Sequence, residues 1–110
     1  MTGAWALVPA RSFRTAKSRL GGRARAAVAR ALFDRVVGVL AQSRLVDGVV
    51  VATDGGDVAA AARLHRADSL IDDPRGAPLA SIIDRGIAHL AARGARAAIV
   101  VMADLPLLAA

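Results

Sequence analysis

Asp47-Gly48-Val49-Val50-Val51-Ala52-Thr53-Asp54-Gly55-Gly56 decides the fold class of this chain. A turn dipeptide leads into an apolar run rich in valine, and a second turn cluster closes it. The run does not alternate apolar with polar residues, so both of its faces need cover. That pattern belongs to a strand in a parallel sheet with helices on either side. Upstream, Trp5-Ala6-Leu7-Val8 reads as a first buried strand, closed by Pro9. Gly21-Gly22 then precede a long helical pattern. In it Val28, Leu32, Val36, Val39 and Leu40 recur at helical spacing, while Arg23, Arg30 and Asp34 face elsewhere. Downstream, Asp57 is placed to cap a short helix through about His65. Leu70-Ile71 makes a short third strand. Pro78 opens a further helix with Leu79, Ile83, Ile87 and Leu90 inward, stopped by Gly94. Ala97 to Ala103 is the fourth strand, the most apolar one, and is expected to be buried.

The order β-α-β-α-β-α-β predicts an α/β three-layer sandwich with a mostly parallel sheet and right-handed crossovers. A length of 110 residues suits one domain. The chain ends soon after its most apolar strand, with Leu105, Leu107 and Leu108 following. Residues 1–110 are therefore expected to form the N-terminal part of a single larger domain, truncated at its end.

Composition excludes several classes of function. With no Cys, the chain cannot build a disulfide scaffold, a thiolate nucleophile or a cysteine zinc site. No stretch reaches the ~18 uninterrupted apolar residues of a spanning helix. The start, with Arg11 directly after the first apolar run, does not resemble a signal peptide. The expectation is a cytoplasmic protein with no membrane partner. The formal charge of +6 is unevenly spread. Eight basic residues and one acid lie between Arg11 and Arg35, a local charge of +7, and the remainder carries −1. Phosphate contacts could use such a patch. However, the patch offers only Phe13 beside it and Phe33 on a helix, which is no stacking platform. Nucleic acid is not expected as a partner, and Arg23, Arg25, Arg30 and Arg35 read as a solvated helix face.

In open parallel sheets, ligands bind beyond the carboxyl ends of the strands, at the point where strand order reverses. With strand order 3-2-1-4, that point lies between the first and fourth strands. The segment from Pro9 to Leu20 would meet Ala103-Asp104-Leu105-Pro106 there. Arg11, Lys17 and Arg19 suit the oxygens of a polyphosphate. Asp104 supplies one carboxylate, and Mg²⁺ is commonly shared between such a carboxylate and phosphates. Lys17 stands out as the only lysine in a chain with fourteen arginines. The combination fits phosphoryl or nucleotidyl transfer. Asp54 reads as ordinary Asp-Gly-Gly turn chemistry, and Asp72 and Asp73 as loop solvation. His65 and His89 lie on helix surfaces, and neither Ser12 nor Ser18 has a partner histidine in the pattern.

Val8-Pro9-Ala10-Arg11-Ser12-Phe13, leading to Ala16-Lys17-Ser18-Arg19-Leu20, resembles the opening of the 2-phospho-L-lactate guanylyltransferase family, the CofC type. Val51-Ala52-Thr53-Asp54 is similar to that family's second strand and loop. Ala103-Asp104-Leu105-Pro106-Leu107-Leu108 is similar to its acidic strand end. The resemblance implies a Rossmann-like, GT-A-like nucleotidyltransferase fold of the MobA-like superfamily. It implies transfer of GMP from GTP to a small phosphorylated acid in coenzyme F420 biosynthesis, with release of pyrophosphate. The acid would be 2-phospholactate, phosphoenolpyruvate or 3-phosphoglycerate. Lys17 and Arg11 would hold the triphosphate, Arg19 would bind it or brace the loop, and Asp104 would hold Mg²⁺. Two positions depart from the family pattern: Arg11 stands where a lysine is frequent, and Pro78-Leu79-Ala80 stands where the family has Gly-Leu-Asn. The Ala80 methyl cannot hydrogen-bond a base or ribose, which leaves nucleotide choice open. The alternative expectation is a non-catalytic α/β module that self-associates through an exposed sheet edge as a homodimer, or a glycosyltransferase-like relative.

Overall fold

The computed structural model of the chain describes residues 3–13, 22–71 and 78–103. Seven elements follow one another as β1 (Ala4–Ala10), α1 (Gly22–Ala41), β2 (Gly48–Thr53), α2 (Gly56–Leu64), β3 (Asp68–Ile71), α3 (Leu79–Ala92) and β4 (Ala97–Val100). The strands form one four-stranded sheet in the order β3-β2-β1-β4, with every pair parallel. The valine run of β2 pairs with β1 from Trp5↔Gly48 to Ala10↔Thr53, and with β3 from Val50↔Asp68 to Thr53↔Ile71. Among the described residues no helix is long and apolar enough to cross a membrane.

Alternation along β1 sorts its side chains into two cores. Ala6 and Val8 pack with Val49, Val51, Phe33, Val37, Ala61 and Ala62 on one side. Leu7 packs with Val50, Ala52, Ile82 and Leu90 on the other. Helices α1 and α2 therefore cover one face of the sheet and α3 covers the other. The three-layer α/β arrangement follows from β1 and β2 being apolar on both faces.

Proline sets the length of β4. Val101 donates its N–H to the Leu7 carbonyl at 2.9 Å, so the odd-numbered residues of β1 face β4. The next ladder bond would run from the N–H of residue 9 to the Val101 carbonyl, and Pro9 has no N–H. Pairing with β4 accordingly ends at Leu7↔Val100, while pairing with β2 continues to Ala10↔Thr53. This corrects two expectations. β1 runs on through Pro9, and β4 ends at Val100 short of Ala103. A third correction concerns burial. β4 was expected to be a buried strand, but all four of its residues are exposed, with Ile99 at 48% and Val100 at 39%. It lies at the sheet edge with β1 as its one neighbour among the described residues.

On both long helices the inward face coincides only in part with the stripe expected: Val36 and Leu40 of α1 and Leu79, Ile83 and Leu90 of α3 pack against the cores as expected, and other positions differ. On α1, Phe33 and Val37 are buried, whereas Val28 is 58% and Val39 is 65% exposed. The inward face is chosen by the largest apolar side chain, Phe33, whose burial outweighs that of two valines. On α3, Ile82, Gly86 and Leu90 are buried and Ile87 is 42% exposed. Gly86 selects that face by allowing close approach to the sheet. A Cβ built there would stand 2.6 Å from Leu7 Cδ1 and 2.9 Å from its Cδ2.

Helix α2 ends in a Schellman motif. Ala67 donates to the Ala62 carbonyl at 3.1 Å and Arg66 to the Arg63 carbonyl at 3.0 Å. The left-handed position is held by Arg66, with φ 60°. Helix α3 ends in the same way, through Ala95 to Leu90 and Gly94 to Ala91, each at 3.0 Å.

Candidate functional site

Parallel strands deliver the loops after β1 and β2 to the same edge of the sheet, beside the paired ends Ala10 and Thr53. Two carboxylates from the second loop hold the first. Asp54 Oδ1 accepts the Ser12 N–H at 2.8 Å. Asp57 Oδ2 accepts both the Ser12 hydroxyl and the Phe13 N–H, each at 3.0 Å. The other oxygen of Asp57 accepts the Val58 N–H at 2.9 Å, which orients the carboxylate. Buried Thr53 shapes the loop by accepting the Gly55 N–H at 3.1 Å through its hydroxyl. Gly55 permits the contact. A Cβ there would lie 2.5 Å from Asp57 Oδ1 and 2.7 Å from Ser12 Cβ.

This arrangement changes the reading of both acids. Asp57 was expected to cap α2, but the N-cap is Gly55, which makes no side-chain cap bond. Asp57 sits inside the first turn and turns toward β1's loop instead. Asp54 was expected to serve its own turn, yet its partner is Ser12, across 42 residues. Only strand pairing brings these residues together, so no local signal in the sequence could have found them.

Phe13, the last residue described before α1, is buried. Its ring meets Phe33 edge-on, with centroids 5.5 Å apart and planes at 71°. The Arg30 guanidinium lies 5.8 Å from the Phe13 centroid, and its Nε is 3.0 Å from Asp34 Oδ2. Asp34 Oδ1 is 3.0 Å from His65 Nε2. Arg30 and His65 were read as plain helix surface; instead they join a chain of contacts from the β1 loop across α1 to the end of α2. Arg35 is exposed, as expected, and the side chains of Arg23 and Arg25 lie outside the description.

A cavity of about 180 Å³ opens where β1 and β4 end, between α1 and the start of α3. Pro9, Ala10, Arg11, Phe13, Phe33 and Ala103 are among its walls. Leu79, at the first turn of α3, also lines it. The lining is mostly apolar, and exposed Arg11 is the one charged residue in it among the described residues. A larger hollow of about 500 Å³ sits at the opposite end of the sheet, by Gly48, His65 and Arg66. Ligands of open parallel sheets gather at the carboxyl ends of strands, which favours the smaller cavity.

The positions expected to carry chemistry divide in two. Arg11 is described and stands at the cavity. Lys17, Arg19 and Asp104 lie outside the described residues, although Ala103, directly before Asp104, lines the cavity. Ala80 is exposed beside Leu79 at the start of α3. Among the described residues no group of three His, Asp or Glu side chains is placed to hold a metal ion. No family model matches the chain.

Proposed function

We propose that the chain binds GTP with Mg²⁺ at the carboxyl ends of β1 and β4 and transfers GMP to a small phosphorylated acid, as a guanylyltransferase of coenzyme F420 biosynthesis. One observation carries this reading. The order β3-β2-β1-β4 puts the strand-order reversal between β1 and β4, and a cavity bordered by Arg11 and Ala103 opens there. Those two residues belong to the segments that resemble a nucleotidyltransferase.

In the proposed reaction, the acceptor phosphate attacks the α-phosphorus of GTP and pyrophosphate leaves, with no covalent enzyme intermediate. Arg11 and Lys17 bind the triphosphate and stabilise charge on the leaving pyrophosphate, and Arg19 binds or braces the same loop. A single hard carboxylate beside a polyphosphate is a donor set that fits Mg²⁺, and Asp104 would be its protein ligand. When bound, the ion screens repulsion between acceptor and nucleotide. The GT-A-like form of the Rossmann fold and a place in the cytoplasm belong to this same reading. Calorimetric titration of GTP with and without Mg²⁺ tests it: the reading requires Mg²⁺-dependent binding, and no binding in either condition would refute it.

A second reading has its own observation. β4 is exposed along its length, and no charged residue occurs from Ala97 to Ala103. Such an edge can pair with a second copy of itself, because nothing on it repels an identical strand. A non-catalytic module of this kind would sediment as a dimer that Ile99→Lys dissociates. A monomer that GTP and Mg²⁺ stabilise would argue against it.

A further inference from the structure

The two carboxylates beneath the β1 loop restrict how that loop can meet an anion. In many phosphate sites successive backbone N–H groups form the cradle. Here the N–H groups of Ser12 and Phe13 are already donated to Asp54 and Asp57, at 2.8 and 3.0 Å. An anion approaching from that side would also face two negative charges. The cavity between α1 and α3 is different, since neither Ser12 nor either carboxylate lines it. Pro9, Ala10, Arg11 and Phe13 border it.

Resting on the nucleotidyl-transfer reading, we infer that Asp57 is a positioning residue for polyphosphate binding. It holds the β1 loop through the Ser12 hydroxyl and the Phe13 amide, and thereby presents Arg11 to the polyphosphate on the cavity side. Among the described residues of the loop, binding then comes from the Arg11 side chain and not from the Ser12 and Phe13 amides. Asp57 touches no ligand; it acts through the loop. Asp54 shares the task at the Ser12 N–H, but Asp57 takes two of the three donors and is itself fixed by the Val58 N–H.

The test uses Asp57→Ala, Asp57→Asn and Ser12→Ala, with binding of GTP–Mg²⁺ and of inorganic pyrophosphate measured by calorimetry. Hydrogen exchange at the Phe13 amide is followed in parallel. Asp57→Ala should weaken both ligands by about tenfold, since a carboxylate that accepts two donors is lost. Asn keeps an acceptor and should restore part of the loss, and measuring binding where urea titration shows every variant fully folded separates this effect from a general loss of stability. Ser12→Ala, the mildest change, should weaken binding about threefold or less while the Phe13 amide stays protected. If Asp57→Ala speeds exchange at Phe13 yet binds both ligands like the wild type, the inference falls and the nucleotide reading survives. If the wild type binds pyrophosphate but not GTP–Mg²⁺, and Asp57→Ala weakens that binding, the nucleotide reading falls and the positioning role stands. A wild type that binds neither ligand overturns both.

Discussion

The Asp57 carboxylate accepts the Phe13 amide at 3.0 Å across 44 residues of chain, joining the loop after β1 to the first turn of α2. The same oxygen takes the Ser12 hydroxyl, so one side chain fixes two consecutive residues. Removing it strands both donors in a half-buried setting. Asp57→Ala should lower unfolding free energy by about 1–2 kcal/mol in urea titrations, less than a fully buried charged acceptor would cost. Equal stability of variant and wild type would show that water replaces the carboxylate without loss.

Gly86 and Leu7 set the spacing between α3 and the sheet. Gly86→Ala gains roughly 1 kcal/mol of helix propensity. It also drives a methyl against both Leu7 methyls, in a core where Leu7 is fully buried. Overpacking of this kind costs typically about 1–3 kcal/mol, so the net expectation is destabilisation by about 1 kcal/mol. Thermal unfolding of Gly86→Ala beside Gly86→Ala/Leu7→Ala checks the cause. The second change should relieve the clash, so the double variant should cost less than the two single changes added together.

Arg66 occupies the left-handed position that ends α2, where a side chain is strained. It is exposed, so little packing is lost on its removal. Arg66→Gly relieves the backbone but loosens the unfolded chain, and the balance favours the variant by about 0.5 kcal/mol. A higher melting temperature is the expected result, and a lower one would mean that Arg66 makes contacts worth more than its strain.

The parallel α/β sheet was legible because β1 and β2 are continuous apolar runs that need cover on both faces, whereas the strand order entered the reading only as a condition. Finer detail was hidden wherever distant residues decide it. Part of the α1 stripe, Val36 and Leu40, was legible, but packing between Phe33 and Phe13 leaves Val28 and Val39 of that stripe exposed. The end of β4 depends on Pro9, some ninety positions earlier, through a ladder bond that Pro9 cannot make. Arg11 was found at the cavity because a cation next to a strand end is a local signal. Asp54 and Asp57 were misread because their partners lie one strand away.

Binding of GTP in the presence of Mg²⁺ by the wild type, Lys17→Ala and Asp104→Ala is the most direct test of the proposed function. Titration calorimetry should give Mg²⁺-dependent binding to the wild type. Each substitution should weaken it by about tenfold or more, because each removes a charged partner of the polyphosphate or its metal. Undiminished binding in both variants would contradict the account.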